Sequence, residues 1–133
     1  MTDVTLTGRQ ILVVEDDYLI ADDLCEALAD AGAGIVGPCP TIAKAVACLD
    51  SAAVIDAAVL DVNLCGEMVF PFADALTLRG IPFIFATGYD EGALPDRYSD
   101  VGRLEKPVRA STVAAQLDTC LRVMAGNGER PQR

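Results

Sequence analysis

Three consecutive carboxylates, Glu15, Asp16 and Asp17, directly follow the aliphatic run Ile11–Val14. A continuous apolar run that contains β-branched residues is typical of a parallel strand buried on both faces. Like charges at the end of such a strand repel one another unless a cation lies among them or one of them takes up a proton. These residues therefore suggest the binding of a hard cation.

Single polar side chains also follow three later apolar runs, and they are Asp61, Thr87 and Lys106. Mg2+ suits such a set, because it takes carboxylate oxygens and keeps waters that a phosphate can replace. A carboxylate nucleophile beside the metal, with a hydroxyl and a lysine to hold phosphoryl oxygens, is what an aspartyl-phosphate site requires. If the fold brings these residues together, the chemistry indicated is phosphoryl transfer with Mg2+ as cofactor.

Short apolar runs alternate with helical patterns along the chain. The runs lie at residues 11–14, 35–36, 57–60, 81–86 and 101–104. This alternation predicts an α/β fold with a doubly wound five-stranded parallel sheet, in the flavodoxin-like order 2-1-3-4-5, and helices on both faces. In that order the first and third strands are neighbours, about 4.8 Å apart. Glu15, Asp16 and Asp61 are therefore expected to converge at the carboxyl edge of the sheet, where ligands bind in such folds.

Several residues are expected to begin or interrupt these elements. Thr41 is a predicted N-cap, Asp17 is interpreted as a turn or helix-cap residue, and Pro71 suits the first turn of a helix. The segment 63–67 is expected to be a loop. Residues 89–100 follow Gly88 and contain Gly92 and Pro95, and they leave room only for a short or irregular helix.

The length of 133 residues is typical of one domain. We expect a single domain over residues 1–133, with a core at about 9–124 and a flexible tail at 125–133. No second domain is expected behind that tail.

Composition excludes several classes of function. The net charge of −10, with no basic stripe, argues against nucleic-acid binding, and the absence of histidine excludes Ser-His-Asp triads and His-containing zinc sites. No apolar run approaches the roughly 20 residues of a membrane span, and no signal peptide is visible. We therefore expect a cytoplasmic protein without membrane contact, in which the cysteines are free thiols. The five cysteines are Cys25, Cys39, Cys48, Cys65 and Cys120.

The chain contains, in order, the motifs ILVVEDD, VLDVN, Thr87-Gly88 and Lys106-Pro107. Together these four motifs resemble the CheY-like receiver domains of two-component response regulators. The resemblance covers about residues 9–124. The segments PFIFATGY and DVNLCGE further resemble the FATGUY-type receivers, which are mostly single-domain proteins of alphaproteobacterial signalling. The resemblance implies a stand-alone receiver that takes a phosphoryl group from a histidine kinase or histidine phosphotransferase. It also implies a downstream protein target reached by direct contact, and no enzymatic activity beyond the receiver's own phosphorylation and dephosphorylation.

The resemblance assigns a role to six residues. They are Asp61 as phosphoacceptor, Glu15 and Asp16 as the acidic pair with Asp16 a direct metal ligand, Asn63 as a metal ligand through its backbone carbonyl, Thr87 as the switch hydroxyl, and Lys106 as the phosphate-binding lysine.

The sequence departs from most receivers at two positions. Cys65 stands where proline is usual and is interpreted as a space-filling residue, and Arg103 stands where an aromatic switch residue is usual. The usual coupling between Thr87 and that aromatic residue is therefore not expected here. Tyr89 is the candidate signalling residue in its place, because it is two residues from Thr87 in a glycine-flanked segment.

Three other functions remain as alternatives. A degenerate receiver would act as a phosphorylation-independent binding module. A haloacid-dehalogenase-type phosphatase also uses an aspartyl nucleophile, but its signature has a second aspartate where Asn63 stands. A flavodoxin needs a phosphate-cradling loop after the first strand, where this chain has Glu15, Asp16 and Asp17.

Overall fold

The computed structural model describes residues 5–51, 53–88, 94–106 and 108–129. The strands are β1 (Gln10–Val14), β2 (Gly34–Cys39), β3 (Ala57–Asp61), β4 (Asn63–Leu64), β5 (Glu67–Met68), β6 (Phe83–Thr87) and β7 (Arg103–Glu105). The helices are α1 (Tyr18–Asp30), α2 (Ile42–Asp50), α3 (Phe70–Leu78) and α4 (Ala110–Glu129). The central sheet has the order β2-β1-β3-β6-β7 and all its pairs are parallel. The predicted flavodoxin-like sheet is confirmed, and the labels of its last two strands differ only because β4 and β5 form a separate hairpin.

The two faces of the sheet bury separate apolar clusters. Successive side chains of a strand point to opposite faces. In β1, Leu12 and Val14 accordingly pack in the cluster under α2 and α3, whereas Ile11 and Val13 pack in the cluster under α1 and α4. All four side chains are fully buried, which explains why the strand reads as a continuous apolar run.

The register of the sheet aligns the ends of three neighbouring strands. Val14 of β1 pairs with Leu60 of β3, so the residues after them, Glu15 and Asp61, lie side by side. Asp61 in turn pairs with Ala86 of β6, the residue before Thr87. The carboxyl edge of the sheet therefore gathers the polar residues that follow separate strands.

The segment that was expected to be a loop forms a two-stranded antiparallel hairpin, so that prediction was wrong. Asn63 pairs with Met68 across the hairpin. Cys65 and Gly66, at φ of 53° and 93°, form the two-residue turn between its strands. Two consecutive positive φ values suit the twist of a tight hairpin turn. The Asn63 side-chain oxygen accepts a hydrogen bond from the Gly66 amide at 2.7 Å and so braces the turn.

The predicted helix starts are confirmed. Asp17 caps α1, Thr41 caps α2, and Pro71 lies in the first turn of α3. The only regular structure described between β6 and β7 is a short 3-10 helix, Asp96–Tyr98, in agreement with the sequence. Helix α4 runs to Glu129 and so extends into the segment 125–133, which was expected to be a flexible tail. Among the described helices, none is both long and apolar enough to cross a bilayer.

Candidate functional site

Three carboxylates meet at the carboxyl edge of the sheet. Oxygens of Glu15, Asp16 and Asp61 all lie within 4.8 Å of one another, and we call these three residues the acidic cluster. Glu15 is 2% exposed and Asp61 1% exposed, whereas Asp16 is half-buried. The convergence expected from the sequence is therefore present in the structure.

Backbone contacts hold Glu15 in the cluster and direct Asp17 away from it. The Glu15 amide donates to the carbonyl of Cys39 at the end of β2 (3.0 Å), and Glu15 Oε2 accepts from the Asp17 amide (3.1 Å). The Asp17 carboxylate accepts from the amides of Leu19 and Ile20 in the first turn of α1. Asp17 is therefore a helix cap, as the sequence indicated, and its carboxylate is committed to α1.

Lys106 provides the positive charge beside the cluster. Its Nζ lies 3.0 Å from Asp61 Oδ1 and between 3.1 and 3.3 Å from the two Glu15 carboxylate oxygens. The Lys106 amide also donates to the Thr87 carbonyl at 2.9 Å, which fixes where the lysine leaves β7. Burial acts to lower the pKa of Lys106, but the hydrogen bond to Asp61 and the charges of both carboxylates raise it above its usual value.

One oxygen of Asp61 stands out because it is fully buried and has no hydrogen-bond partner among the described residues. This oxygen is Oδ2, whereas Oδ1 accepts from Lys106. Glu15 Oε1 is also buried without a hydrogen bond of good geometry, although Lys106 Nζ is close enough to compensate its charge. A buried polar atom without a partner is costly in a folded protein. Among the atoms of the site, Asp61 Oδ2 is therefore the best candidate to bind a ligand.

Comparison with solved structures gives a close relative. SdrG from Sphingomonas melonis Fr1 is 42% identical to this chain, and the match covers 91% of this chain and 99% of that one with a TM-score of 0.76. The BeF3-activated conformation of SdrG, from Pseudomonas melonis Fr1, matches at 39% identity over the same shares of the two chains, with a TM-score of 0.66.

Two more distant neighbours show the same fold. A response regulator receiver protein from Sinorhizobium medicae WSM419 has 23% identity and a TM-score of 0.74, covering 90% of this chain and 99% of that one. The response regulator PhyR from Brucella abortus has 20% identity and a TM-score of 0.77, covering 94% of this chain and 52% of that one. No family model and no curated protein matches the chain. The chain belongs to the response regulator receiver family.

Burial and mutual repulsion raise pKa values within the receiver's acidic cluster, whereas hydrogen bonds lower them. Burial, then the close approach of the Asp16 carboxylate and the charge of Glu15, raise the pKa of Asp61 to about 8, against the opposing effect of Lys106. Burial likewise raises the pKa of Glu15. Burial acts to raise the pKa of Asp16 too, but hydrogen bonds, first that of the Cys65 thiol, hold it below its usual range.

Cys65 contacts the cluster directly, so its interpretation as a space-filling residue was wrong. The side chain is exposed, and its Sγ donates to Asp16 Oδ2 at 2.9 Å. The left-handed backbone conformation of Cys65 in the hairpin turn positions the thiol for this contact. The resemblance to receivers marks Cys65 as a departure from the usual proline, but the sequence does not show where the thiol points.

The remaining predicted site residues differ in how well the structure places them. Thr87 is 5% exposed and ends β6 beside β3, on the same edge as Asp61. Asn63 is half-buried and its side chain braces the hairpin turn. The contribution of its backbone carbonyl to a metal stays a prediction. Tyr89 lies outside the described residues, so its signalling role also stays a prediction.

A buried aromatic residue that the sequence did not single out packs against the first half of β6. Tyr98 is 4% exposed, stacks on Phe70, and meets the edges of Phe83 and Phe85. Its hydroxyl bonds to Asp74 of α3. In contrast, Arg103 on β7 is exposed.

Proposed function

We propose that this receiver accepts a phosphoryl group on Asp61 from a phosphohistidine on a partner protein. The observation that carries the proposal is the state of the two Asp61 oxygens. Oδ1 is bonded to Lys106 Nζ at 3.0 Å, whereas Oδ2 is buried without a hydrogen-bond partner in the described parts of the chain. An oriented carboxylate with one uncommitted oxygen is a suitable nucleophile for phosphorus.

The acidic cluster fits Mg2+ by its charge and by its donor atoms. Three carboxylates face one ammonium group, so full ionisation leaves two negative charges, three minus one. Carboxylate oxygens are the ligands that Mg2+ prefers. Asp16, Asp61 and the Asn63 carbonyl would hold the ion, with Glu15 contributing directly or through water. When bound, Mg2+ neutralises charge on the phosphoryl oxygens and lowers the barrier to transfer.

The transfer itself follows from the positions of Asp61, Lys106 and Thr87. Asp61 Oδ2 attacks phosphorus, and the new O–P bond forms while the N–P bond of the partner's phosphohistidine breaks, which leaves the imidazole on the partner. The donor must be another protein, because this chain has no histidine. The Lys106 ammonium and the Thr87 hydroxyl then hold the phosphoryl oxygens.

The proposed partners are a histidine kinase or histidine phosphotransferase upstream and a protein target downstream. The receiver is not an enzyme toward other substrates, since the site acts on its own aspartate and signals by protein contact. The relation to response regulators in the comparisons supports this assignment. A binding module that works without phosphorylation is the competing function.

The test is phosphorylation by acetyl phosphate with Mg2+, followed by the intact mass of the protein. We expect one phosphoryl group on the wild type, none on Asp61→Asn, and none when EDTA replaces Mg2+. Asp23→Asn is the matched control, because Asp23 is an exposed aspartate of α1 outside the cluster, and it should behave as wild type. Phosphorylation of Asp61→Asn at the wild-type rate would refute the assignment, and an unphosphorylated wild type would favour the binding module.

A further inference from the structure

Two cysteines outside the acidic cluster lie in contact. The Sγ atoms of Cys39 and Cys48 are 3.5 Å apart. Cys39 is the last residue of β2 and is 3% exposed, whereas Cys48 lies on α2 and is half-buried. Both thiols are free, so the contact joins two oxidisable groups.

The local fold brings these two thiols together. After Cys39 the chain turns at the Thr41 cap into α2, whose Ala45 and Leu49 pack on the sheet. Cys48 packs against the same apolar cluster that contains Cys39. Gly37, with φ of 100°, makes room on the other side of Cys39, because a Cβ there would lie 2.8 Å from the Cys39 amide nitrogen and 3.2 Å from its sulfur. The Cys39 thiol is thus closely packed between Gly37 and α2.

A single backbone hydrogen bond connects Cys39 of the thiol pair to Glu15 of the acidic cluster. The carbonyl of Cys39 accepts from the amide of Glu15 at 3.0 Å. Glu15 is in turn bonded to Lys106, which also holds Asp61. A displacement of the Cys39 backbone therefore also displaces Glu15, the residue that follows β1.

We propose that Cys39 and Cys48 form a reversible disulfide in response to hydroperoxides, and that closure of this bond changes metal binding at the acidic cluster. The disulfide itself stands on the geometry of the two thiols. Its effect on metal binding rests on the function proposed above.

The oxidation takes place in two balanced steps. The Cys48 sulfur attacks one oxygen of the hydroperoxide, the O–O bond breaks, and Cys48 becomes a sulfenic acid while water or an alcohol leaves. The Cys39 sulfur then attacks the Cys48 sulfur, the S–O bond breaks, and water leaves with the disulfide formed. Two thiols lose two electrons and two protons in total, and the hydroperoxide gains both. A dithiol reductant reverses the change by exchange.

Cys48 is the thiol that reacts first. It is the more accessible of the pair, and the thiolate is the nucleophilic form of cysteine. Burial, followed by the contact with Cys48, raises the pKa of Cys39 to about 12, so Cys39 stays protonated and acts second. The raised pKa predicts that the second step is slow.

Closure must move the chain. The two sulfur atoms are 3.5 Å apart, whereas a disulfide bond is about 2.05 Å long. Movements of the side chains and their backbones must therefore bring the sulfurs about 1.5 Å closer. Even a Cβ at Gly37 would lie 3.2 Å from the Cys39 sulfur, so there is little free space on that side, and α2 is a helix of only nine residues. The strain of closure therefore falls on α2 and on the Cys39 carbonyl that holds Glu15.

The test uses the full chain, reduced and then treated with hydrogen peroxide, with free thiols blocked before digestion by trypsin. Trypsin cuts after Lys44, between the two cysteines, so the disulfide joins two peptides whose fragmentation identifies the linked residues. We expect a Cys39–Cys48 link that dithiothreitol removes and that is absent in Cys48→Ser and Cys48→Ala. Cys25→Ser is the matched control, because Cys25 is a half-buried thiol on α1, and this variant should keep the link.

A second measurement follows the Glu15 amide by NMR and the Mg2+ midpoint in the oxidised and reduced proteins. We expect the Glu15 resonance to shift and the midpoint to change severalfold on oxidation in the wild type, but not in Cys48→Ser. Free thiols at Cys39 and Cys48 after peroxide, or a link between another pair, would overturn the disulfide. An unmoved Glu15 amide with an unchanged midpoint would overturn the coupling. If the reduced protein does not bind Mg2+, the proposed function fails, while the result of the peptide mapping stands.

Discussion

Lys106 Nζ lies 3.0 Å from Asp61 Oδ1, and this contact joins the end of β7 to the end of β3 across the intervening strand β6. The ammonium group faces the acidic cluster from one side and leaves Asp61 Oδ2 buried, with no hydrogen-bond partner in the part of the chain that the structure describes. The lysine therefore has two opposing effects on ligands, since it repels a metal ion and attracts a phosphoryl group. The two effects can be separated by experiment.

Lys106→Met should raise the affinity for Mg2+ while it lowers phosphorylation. Loss of a positive charge this close to the ligands favours a divalent cation by about tenfold or more, even with substantial dielectric screening. The same loss removes a donor for the phosphoryl oxygens, so the rate of uptake from acetyl phosphate should fall at least about tenfold. Mg2+ titration and intact mass measure the two quantities. A parallel loss of both, with normal circular dichroism, would contradict this view of Lys106.

Asp16→Asn should weaken Mg2+ binding and stabilise the metal-free protein. The change removes one charged ligand, which should cost about tenfold or more in metal affinity, and it also relieves repulsion within the acidic cluster. Asp17→Asn is the matched control, because Asp17 caps α1 and asparagine is an equally good cap. Calorimetry of metal binding and urea unfolding in EDTA would decide. Equal loss of Mg2+ affinity in both variants would place the metal elsewhere.

Stability of the metal-free receiver should fall as the pH rises. The pKa of Asp61 is raised from 3.8 to about 8 in the folded protein, so the folded state holds the proton more tightly than the unfolded state. The stability that this proton contributes is fully present below pH 3.8 and is lost as the pH rises through about 8. Urea unfolding in EDTA between these limits should show the decline in the wild type and a weaker one in Asp61→Asn. The same slope in both would show that Asp61 is not its source.

Binding of Mg2+ should follow the opposite trend with pH. A cation displaces the proton from Asp61, so the apparent dissociation constant should rise about tenfold for each pH unit below the raised pKa. Titrations at several pH values in the wild type provide the measurement. A pH-independent constant would mean that Asp61 is already ionised in the metal-free protein.

Tyr89→Ala should leave phosphate uptake nearly intact and weaken binding of the downstream partner. The prediction rests on Arg103, which stands where receivers usually have the aromatic switch residue and is exposed. Burial of an unpaired charge is costly, so Arg103 is not expected to act as that switch. Affinity for the partner, measured with phosphorylated protein, tests this. Normal binding by Tyr89→Ala together with a loss in Arg103→Ala would assign the switch to β7 instead.

The sheet and most of the site could be predicted from the sequence because the signals are local. Strand β1 reads as a continuous apolar run because both of its faces are buried, and Glu15 and Asp61 end strands whose adjacency follows from the rules of parallel sheets. The cap at Asp17 follows from its position before an apolar helical pattern. These features need no knowledge of distant contacts.

Other features depend on contacts between distant segments and could not be predicted in this way. The hairpin turn requires positive φ at Cys65, a residue type that gives no sign of it. The bond from its thiol to Asp16 joins residues that are 49 positions apart in the sequence. Tyr98 is buried through rings contributed by α3 and β6. The contact between Cys39 and Cys48 depends on how α2 packs against β2.

The central claim is that Asp61 carries the phosphoryl group, and chemical trapping tests it most directly. Borohydride reduces an aspartyl phosphate to homoserine, so the modified residue can be located by peptide mapping after treatment with a phosphorylated kinase or with acetyl phosphate and Mg2+. The account predicts homoserine at position 61 and aspartate unchanged at position 16. Homoserine at any other position, with Asp61 intact in phosphorylated protein, would contradict it.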